Sequence, residues 1–281
     1  MKIIECPRDA MQGIGPFIPT QLKVQYINLL LKAGFDTIDF GSFVSPKAIP
    51  QLKDTDEVVN QLDLSQTQSK LLAIVANVRG AEQAVRYPQI NYLGFPLSIS
   101  ETFQQRNTNK TIAQAIDTVK AIQNLCVANG KTLVTYISMG FGNPYGDPYS
   151  PDGVVAFVEQ LDAIGVRIIS LADTVGAADK ASITSLFERV IPAFAHIEFG
   201  AHLHASQHQA AEKVQAAYDA GCRRIDGALK GFGGCPMAED DLVGNVATEQ
   251  MLASFEQKGI THGVNMAVIA EALALAPQVF G

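Results

Sequence analysis

Two hydrophobic periods alternate along this chain. Runs of strand length, among them IIEC (3–6), KLLAIVAN (70–77), KTLVTYISM (131–139) and RIISLAD (167–173), are almost wholly apolar. The stretches between them, such as 21–34, 111–130 and 207–221, place apolar residues at helical spacing. The pattern predicts strands over 3–6, 36–43, 70–77, 91–98 (with Ile90 before it), 131–139, 167–173, 196–205 and 223–231. It predicts helices over 21–34, 54–63, 80–87, 111–130, 150–165, 179–191, 207–221 and 246–259. Gly34 and Gly130 stand where helices should stop. Ser150 followed by Pro151 reads as a helix start.

Strands that are apolar along their whole length belong to parallel sheets covered on both faces. Eight strand-then-helix units in 281 residues predict an α/β chain folded as a (β/α)₈ TIM barrel. Residues 1–281 read as a single domain, with an appended helix after Val264. A doubly wound open sheet is the competing architecture. It would show a glycine-rich phosphate turn after an early strand, and no GxGxxG occurs. The Gly- and Pro-rich loop GFGNPYGDPYS (140–150) is the expected wall over an active site.

Composition narrows the picture. Hydrophobic residues make up 47% and charged ones 17%, against roughly 25% charged in an average soluble domain. The net charge is −7 and no block of lysine and arginine occurs, so nucleic acid is not an expected partner. No apolar run approaches the roughly 20 residues of a membrane span, so no membrane is expected either. The N-terminus does not read as a signal peptide. The four cysteines, Cys6, Cys126, Cys222 and Cys235, are scattered, and a reducing cytoplasm is the expected compartment.

Enzymes on this fold carry their chemistry at the C-terminal ends of the strands, and polar residues collect there. Strand one is expected to end in Arg8 and Asp9. Strand two carries Asp39 and ends near Ser42. Strand three ends in Asn77, strand six in Asp173 and Thr174, and strand eight runs into GFGGCP with Cys235. Strand seven ends in AHLHA, where His202 and His204 stand two apart and so share one face. Two imidazoles with a carboxylate from the facing strand can hold a divalent cation. A lone histidine there would more simply be core packing. With an amide oxygen added, the donor set suits Mg²⁺ or Mn²⁺, and Zn²⁺ stays open.

The stretches ECPRDAMQ (5–12), IDFGSFVSPKAIPQLKDTDEV (38–58), ETFQQRNTNKT (101–111), LADTVG (171–176), AHLHA (201–205), GFGGCP (231–236) and GNVATE (244–249) together resemble the 3-hydroxy-3-methylglutaryl-CoA lyases. These lie within the barrel metallolyases that include isopropylmalate and homocitrate synthases. The resemblance implies cleavage of a 3-hydroxy-3-methylglutaryl thioester to acetoacetate and acetyl-CoA. It implies Asp9, His202, His204 and Asn245 as metal ligands. Arg8, Asp9, Asp39, His202 and Cys235 are the implied catalytic set, with Arg8 stabilising the enolate and Cys235 donating a proton or serving as a base. Expected partners are an acyl-CoA substrate and a second copy of the chain as a homodimer.

Simpler roles stand beside these. Arg8 could be ion-paired with Asp9 or Asp39, Asn245 could be an N-cap, Cys235 an inert apolar side chain and Lys47 a solvated charge. Ser42, Asn77, Lys47, Asp173 and Thr174 are candidates for supporting or CoA-side contacts. The chain also departs from the family pattern. Ala10 stands in RDAMQ where the family has Gly, Asn143 in FGNP where it often has Cys, and Ala205 where Asp usually follows the second histidine. Ala205 removes a supporting partner, which is expected to loosen the cation. Two alternatives therefore stay open: a related metallo-aldolase or synthase acting on another acyl-CoA or 2-oxo acid, and a metal-free binding barrel.

Overall fold

The computed structural model describes residues 1–234 and 243–281. Eight parallel strands close into a barrel in sequence order, β1 (Lys2–Glu5), β2 (Thr37–Ser42), β3 (Lys70–Ile74), β4 (Ile90–Ser98), β5 (Thr132–Ser138), β6 (Ile168–Asp173), β7 (Glu198–Leu203) and β8 (Arg224–Gly227), with β8 returning to pair with β1. Among the described residues the helices are α1 (Pro7–Gln12), α2 (Thr20–Leu31), α3 (Thr55–Val59), α4 (Val78–Ala84), α5 (Glu101–Thr108), α6 (Ile112–Ala128), α7 (Pro151–Ile164), α8 (Lys180–Ala193), α9 (Gln207–Asp219), α10 (Thr248–Gln257) and α11 (Met266–Phe280). The eight-fold strand–helix pattern and the appended α11 are as the sequence predicts. None of these helices is long and apolar enough to cross a membrane.

Local chemistry fixes the helix starts. Ser150 accepts from Gly153 N with Pro151 in the first turn, and α7 ends on Gly165 at φ +94°. Thr111 and Gln114 cap α6 reciprocally, as Asp179 and Ser182 cap α8. Two helices were not legible in the hydrophobic pattern. α1 has six residues, too few for a period, and starts with Pro7. α5, ETFQQRNT, buries little beyond Phe103 and Gln104, and is held by its Ser100 N-cap and by Asn109 in the left-handed region. Arg8 and Asp9 consequently lie in α1 and not at the end of β1. Asn77 lies beyond β3 as the N-cap of α4, accepting from Gly80 N.

The apolar side chains form two layers. The larger lies between the barrel and its helices. The smaller, Leu72, Ile74, Tyr92, Val134, Tyr136 and Ile168, fills the barrel interior. The interior also holds Arg224, 1% exposed, with Glu198 at 3.5 Å, Asp36 at 3.7 Å and the Tyr92 ring at 5.7 Å.

Glu5 ties the closing seam of the barrel. Its carboxyl accepts from Leu229 N at 2.9 Å and from Thr248 Oγ1 at 2.6 Å, joining β1 to the turn after β8 and to α10. Burial pushes its pKa up to about 8 against these two hydrogen bonds. Between the ordinary value of 4.5 and about 8, the folded chain holds a proton that the unfolded chain has released. The stability this contributes is present in full below 4.5 and is lost as pH rises through about 8. Glu5→Gln keeps the group neutral at every pH. Its unfolding free energy relative to the wild type, read by urea titration, should therefore rise steadily from pH 5 to above pH 8. Parallel profiles for the two proteins would refute the assignment.

Candidate active site

At the C-terminal end of the barrel, Pro7 turns the chain into α1 directly after β1 and aims Arg8 and Asp9 over the barrel mouth. Both are nearly inaccessible. Arg8 Nε donates to Asp39 Oδ1 and Oδ2 at 3.2 and 2.9 Å, and Nη2 donates to Oδ2. Nη1 donates to Asp9 Oδ1 at 2.8 Å and to Gln12 Oε1 at 2.9 Å. Arg8 is thus paired with Asp9 and Asp39 at once. Among the described residues, four of its five N–H groups are committed, and one on Nη2 is left for another acceptor.

The two carboxylates respond differently to this guanidinium. Burial raises Asp39, and Arg8 offsets only part of the rise. For Asp9, burial is outweighed by Arg8, His202, His204 and the Asn245 amide, so its pKa falls. Asp9 is the more readily ionised of the two. The two aspartates hold the guanidinium in its charged form although burial works against it.

β7 and β8 pair with Ala201 opposite Ile225, which sets His202 beside Asp226. His202 Nδ1 meets Asp226 Oδ2 at 3.0 Å. That leaves Nε2 for the side facing Asp9. Burial would lower the His202 pKa, but the Asp226 contact and charge raise it. His204 follows β7 in an isolated antiparallel bridge with Asn245, and the two imidazole centroids lie 5.2 Å apart. Neither ring nitrogen of His204 has a well-formed hydrogen bond among the described residues. Burial and the neighbouring His202 push its pKa down to about 4, against a weaker pull from Asp9 and the Thr174 backbone.

One donor atom each from Asp9, His202 and His204 lies within 4.8 Å of the other two. An ionised carboxylate beside a buried imidazole with unengaged nitrogens is a donor set that fits a divalent cation. Asn245 closes the same cluster. Its Nδ2 donates to Asp9 Oδ2 at 2.6 Å and to Phe232 O at 2.9 Å. It is not a helix cap, since the N-cap of α10 is Ala247. Gly233, at φ +99°, makes this approach feasible, because a Cβ there would lie 2.5 Å from Asn245 Nδ2 and 3.0 Å from Asp9 Oδ2. Cys235 lies outside the described residues.

The cluster forms the polar end of a cavity of about 260 Å³ whose other walls include Ile74, Pro96, Phe103, Tyr136 and Ala172. Loop 140–150 contributes no lining residue and stands behind the wall. Asp147 accepts from Ser100 Oγ, Thr102 N and Thr102 Oγ1, and Tyr145 stacks on Phe103 at 6.4 Å. The wall itself is α5, whose Phe103, Asn107 and Thr108 line the cavity. Asn143 shapes the loop by accepting from Tyr145 N and Asp147 N.

The other candidates separate. Thr174 lines the cavity, and its Oγ1 accepts from Met139 N. Ser42 lies in an adjoining hollow with Lys53, Arg79 and Arg86. Lys47 is exposed and lines neither space, and Asn77 is spent on its helix cap. Asp173 is structural. Lys213, 2% exposed on α9, donates to Asp173 Oδ2 at 2.8 Å and to Gly176 O and His204 O, both at 2.9 Å. It bolts the ends of β6 and β7 together beneath His204.

Asp226, Gln12 and Lys213 were not singled out in the sequence. RDxxQ puts Gln12 one turn after Arg8, a spacing that signals a shared face only once α1 is known to be a helix. Lys213→Met should strand Asp173 as an unpaired buried carboxylate. A loss of ~3–5 kcal/mol in urea unfolding is expected, the range for breaking a buried pair. A change near zero would show that the pair carries no net stability.

Comparison with known proteins agrees with this geometry. A family model described as HMGL-like matches residues 2–275. The hydroxymethylglutaryl-CoA lyase YngG of Bacillus subtilis (strain 168) is 32% identical over 260 residues, covering 92% of this chain and 86% of its own. The mitochondrial hydroxymethylglutaryl-CoA lyase of Mus musculus is 29% identical over 275 residues, with 97% and 83% covered. Among solved structures, an HMG-CoA lyase from Acinetobacter baumannii in complex with coenzyme A and 3-methylmalate superposes with TM-score 0.93 at 31% identity, over 100% of this chain and 91% of that one. With its closed barrel, its Asp–His–His cluster and a match along nearly its whole length, this chain belongs to the HMGL-like family.

Proposed function

We propose that this chain is a carbon–carbon lyase that cleaves 3-hydroxy-3-methylglutaryl-CoA to acetoacetate and acetyl-CoA, with Mg²⁺ or Mn²⁺ held by Asp9, His202, His204 and Asn245. The observation that carries the reading is the Asp9–His202–His204 cluster, its donor atoms within 4.8 Å of each other and Arg8 hydrogen-bonded to Asp9, in a chain of this family. A bound cation supplies Lewis acidity, orienting the substrate hydroxyl and carboxylate and lowering the hydroxyl pKa. The chain's own residues do the rest. Asp9, held ionised, receives the hydroxyl proton. As the C–C bond breaks, its electron pair becomes the enolate of acetyl-CoA, with charge on the thioester oxygen. Arg8 meets that charge with its free N–H, oriented beforehand by Asp39 and Asp9. Asp226 fixes the His202 ring so that Nε2 serves the cluster. Cys235 returns a proton to the enolate carbon. The apolar walls keep water from the carbanion.

An acyl-CoA substrate, a cytoplasmic location and a homodimeric assembly belong to the same reading. The free thiols of Cys6, Cys126 and Cys222 support the compartment. Sedimentation velocity reads the assembly.

Purified protein should release acetoacetate from the thioester with Mg²⁺ or Mn²⁺ and lose that activity in EDTA. Turnover of a different acyl-CoA or 2-oxo acid instead would reassign the substrate, and metal-indifferent protein without turnover would reject the lyase. Arg8→Gln should lower kcat ~100–1000-fold, the range for removing one donor that stabilises an oxyanion, with circular dichroism unchanged. His204→Ala should weaken Mn²⁺ binding at least ~10-fold, measured by calorimetry without substrate. Wild-type kinetics in the first variant, or wild-type affinity in the second, would remove that residue from its role.

A further inference from the structure

Beside the Asp9–His202–His204 cluster lies a second group of donors that shares His202 with it. Cys6 Sγ, a carboxylate oxygen of Asp226 and a ring nitrogen of His202 lie within 4.8 Å of one another. Cys6 and Asp226 are 1% and 2% exposed. Asp226 Oδ2 is engaged by His202 Nδ1, while Oδ1 has no hydrogen-bond partner among the described residues. A fully buried carboxylate oxygen without a donor is an acceptor for a cation. The surroundings are acidic. The carboxylates of Asp226, Asp39 and Asp9 surround the Cys6 thiol, with the Arg8 guanidinium as a facing cation.

We propose that Cys6, Asp226 and His202 form a second cation site, selective for thiophilic divalent ions such as Zn²⁺ or Cd²⁺, whose occupation disables the neighbouring cluster by taking His202 from it. The selectivity follows from the donors. The neighbouring cluster offers only nitrogen and oxygen, whereas this group adds sulfur, which Zn²⁺ and Cd²⁺ accept and Mg²⁺ does not. The exclusion follows from the imidazole. A neutral ring has one nitrogen lone pair for coordination. Binding through Nδ1 moves the ring proton to Nε2, the nitrogen facing Asp9, and the Cys6 thiol proton leaves to solvent. Each ion that enters therefore costs the other cluster a ligand. Inhibition of turnover rests on the function proposed above; the ion site itself does not.

The test is a Cd²⁺ titration of the full chain without substrate, following the near-ultraviolet thiolate-to-Cd²⁺ charge-transfer band, with Mn²⁺ affinity measured in parallel. The band should appear with one equivalent, persist in Cys235→Ser and vanish in Cys6→Ser. Cd²⁺ should weaken Mn²⁺ binding at least ~10-fold more in the wild type than in Cys6→Ser, where it competes only at the Asp9–His202–His204 cluster. A band that survives Cys6→Ser, or Mn²⁺ binding indifferent to Cd²⁺ in the wild type, overturns the proposal. Should Cys6→Ser not fold, X-ray absorption of Cd²⁺-loaded Cys235→Ser decides. A first shell holding both one sulfur and an imidazole supports the site, and a shell without sulfur overturns it. Because no arm uses substrate, a failed lyase assay leaves these outcomes readable.

Discussion

A single guanidinium shared between two buried carboxylates sets the terms for the rest of this molecule. Arg8 is charged inside a barrel mouth that would repel any isolated charge, and it persists there because Asp39 and Asp9 grip it from two sides. The arrangement is asymmetric. Asp39 answers burial by a raised pKa, whereas Asp9 is kept ionised against burial by Arg8, the two histidines and the Asn245 amide. One carboxylate is thereby reserved as a fixed anion facing two imidazoles, with a fixed cation behind it. A charged reaction can run in such a place without water reorganising around it.

Holding that arrangement takes the barrel as a whole. Asp9 and Arg8 come from the start of the chain, His202 from β7 and His204 from the residue after it, Asp226 from β8, and Asn245 from the segment leading to α10. Their relative positions are set by ties outside the cavity. Glu5 draws β1 against the turn after β8 and α10. Lys213 clamps the ends of β6 and β7 through the His204 carbonyl. Asp147 fastens loop 140–150 to α5, which then stands as a wall. Each tie is a buried or partly buried polar contact with good geometry, the kind that fixes one arrangement over its neighbours.

The barrel was legible because its strands are apolar on both faces and its larger helices are periodic. The HxH pair was legible because the two-residue period of a strand forces both rings to one side. The rest failed for identifiable reasons. α1 is shorter than two helical turns, so Arg8 and Asp9 looked like a strand end. α5 is polar along most of its length and carried no pattern. Asn77 reads as a site residue in the sequence because a helix N-cap also sits at the end of a barrel strand. Lys213 in a predicted surface helix gives no sign of being buried, since its role depends on three acceptors remote in the sequence. Asp226 sits in a four-residue strand whose inward face only the barrel register defines. Ala205, which looked like a lost support for the cation, is buried, and its N–H donates to Gly244 O next to Asn245.

Gly233 carries a consequence for comparing sequences. Its missing side chain is what lets Asn245 lie against Asp9. In the glycine-rich stretch after β8, this one glycine is a spacer whose smallness is its function. A relative that keeps every polar member of the cluster but bears even alanine at this position has its asparagine displaced from its aspartate. Inventories of ligand-type residues would score such a relative as intact, so the neighbouring empty volume should be counted alongside them.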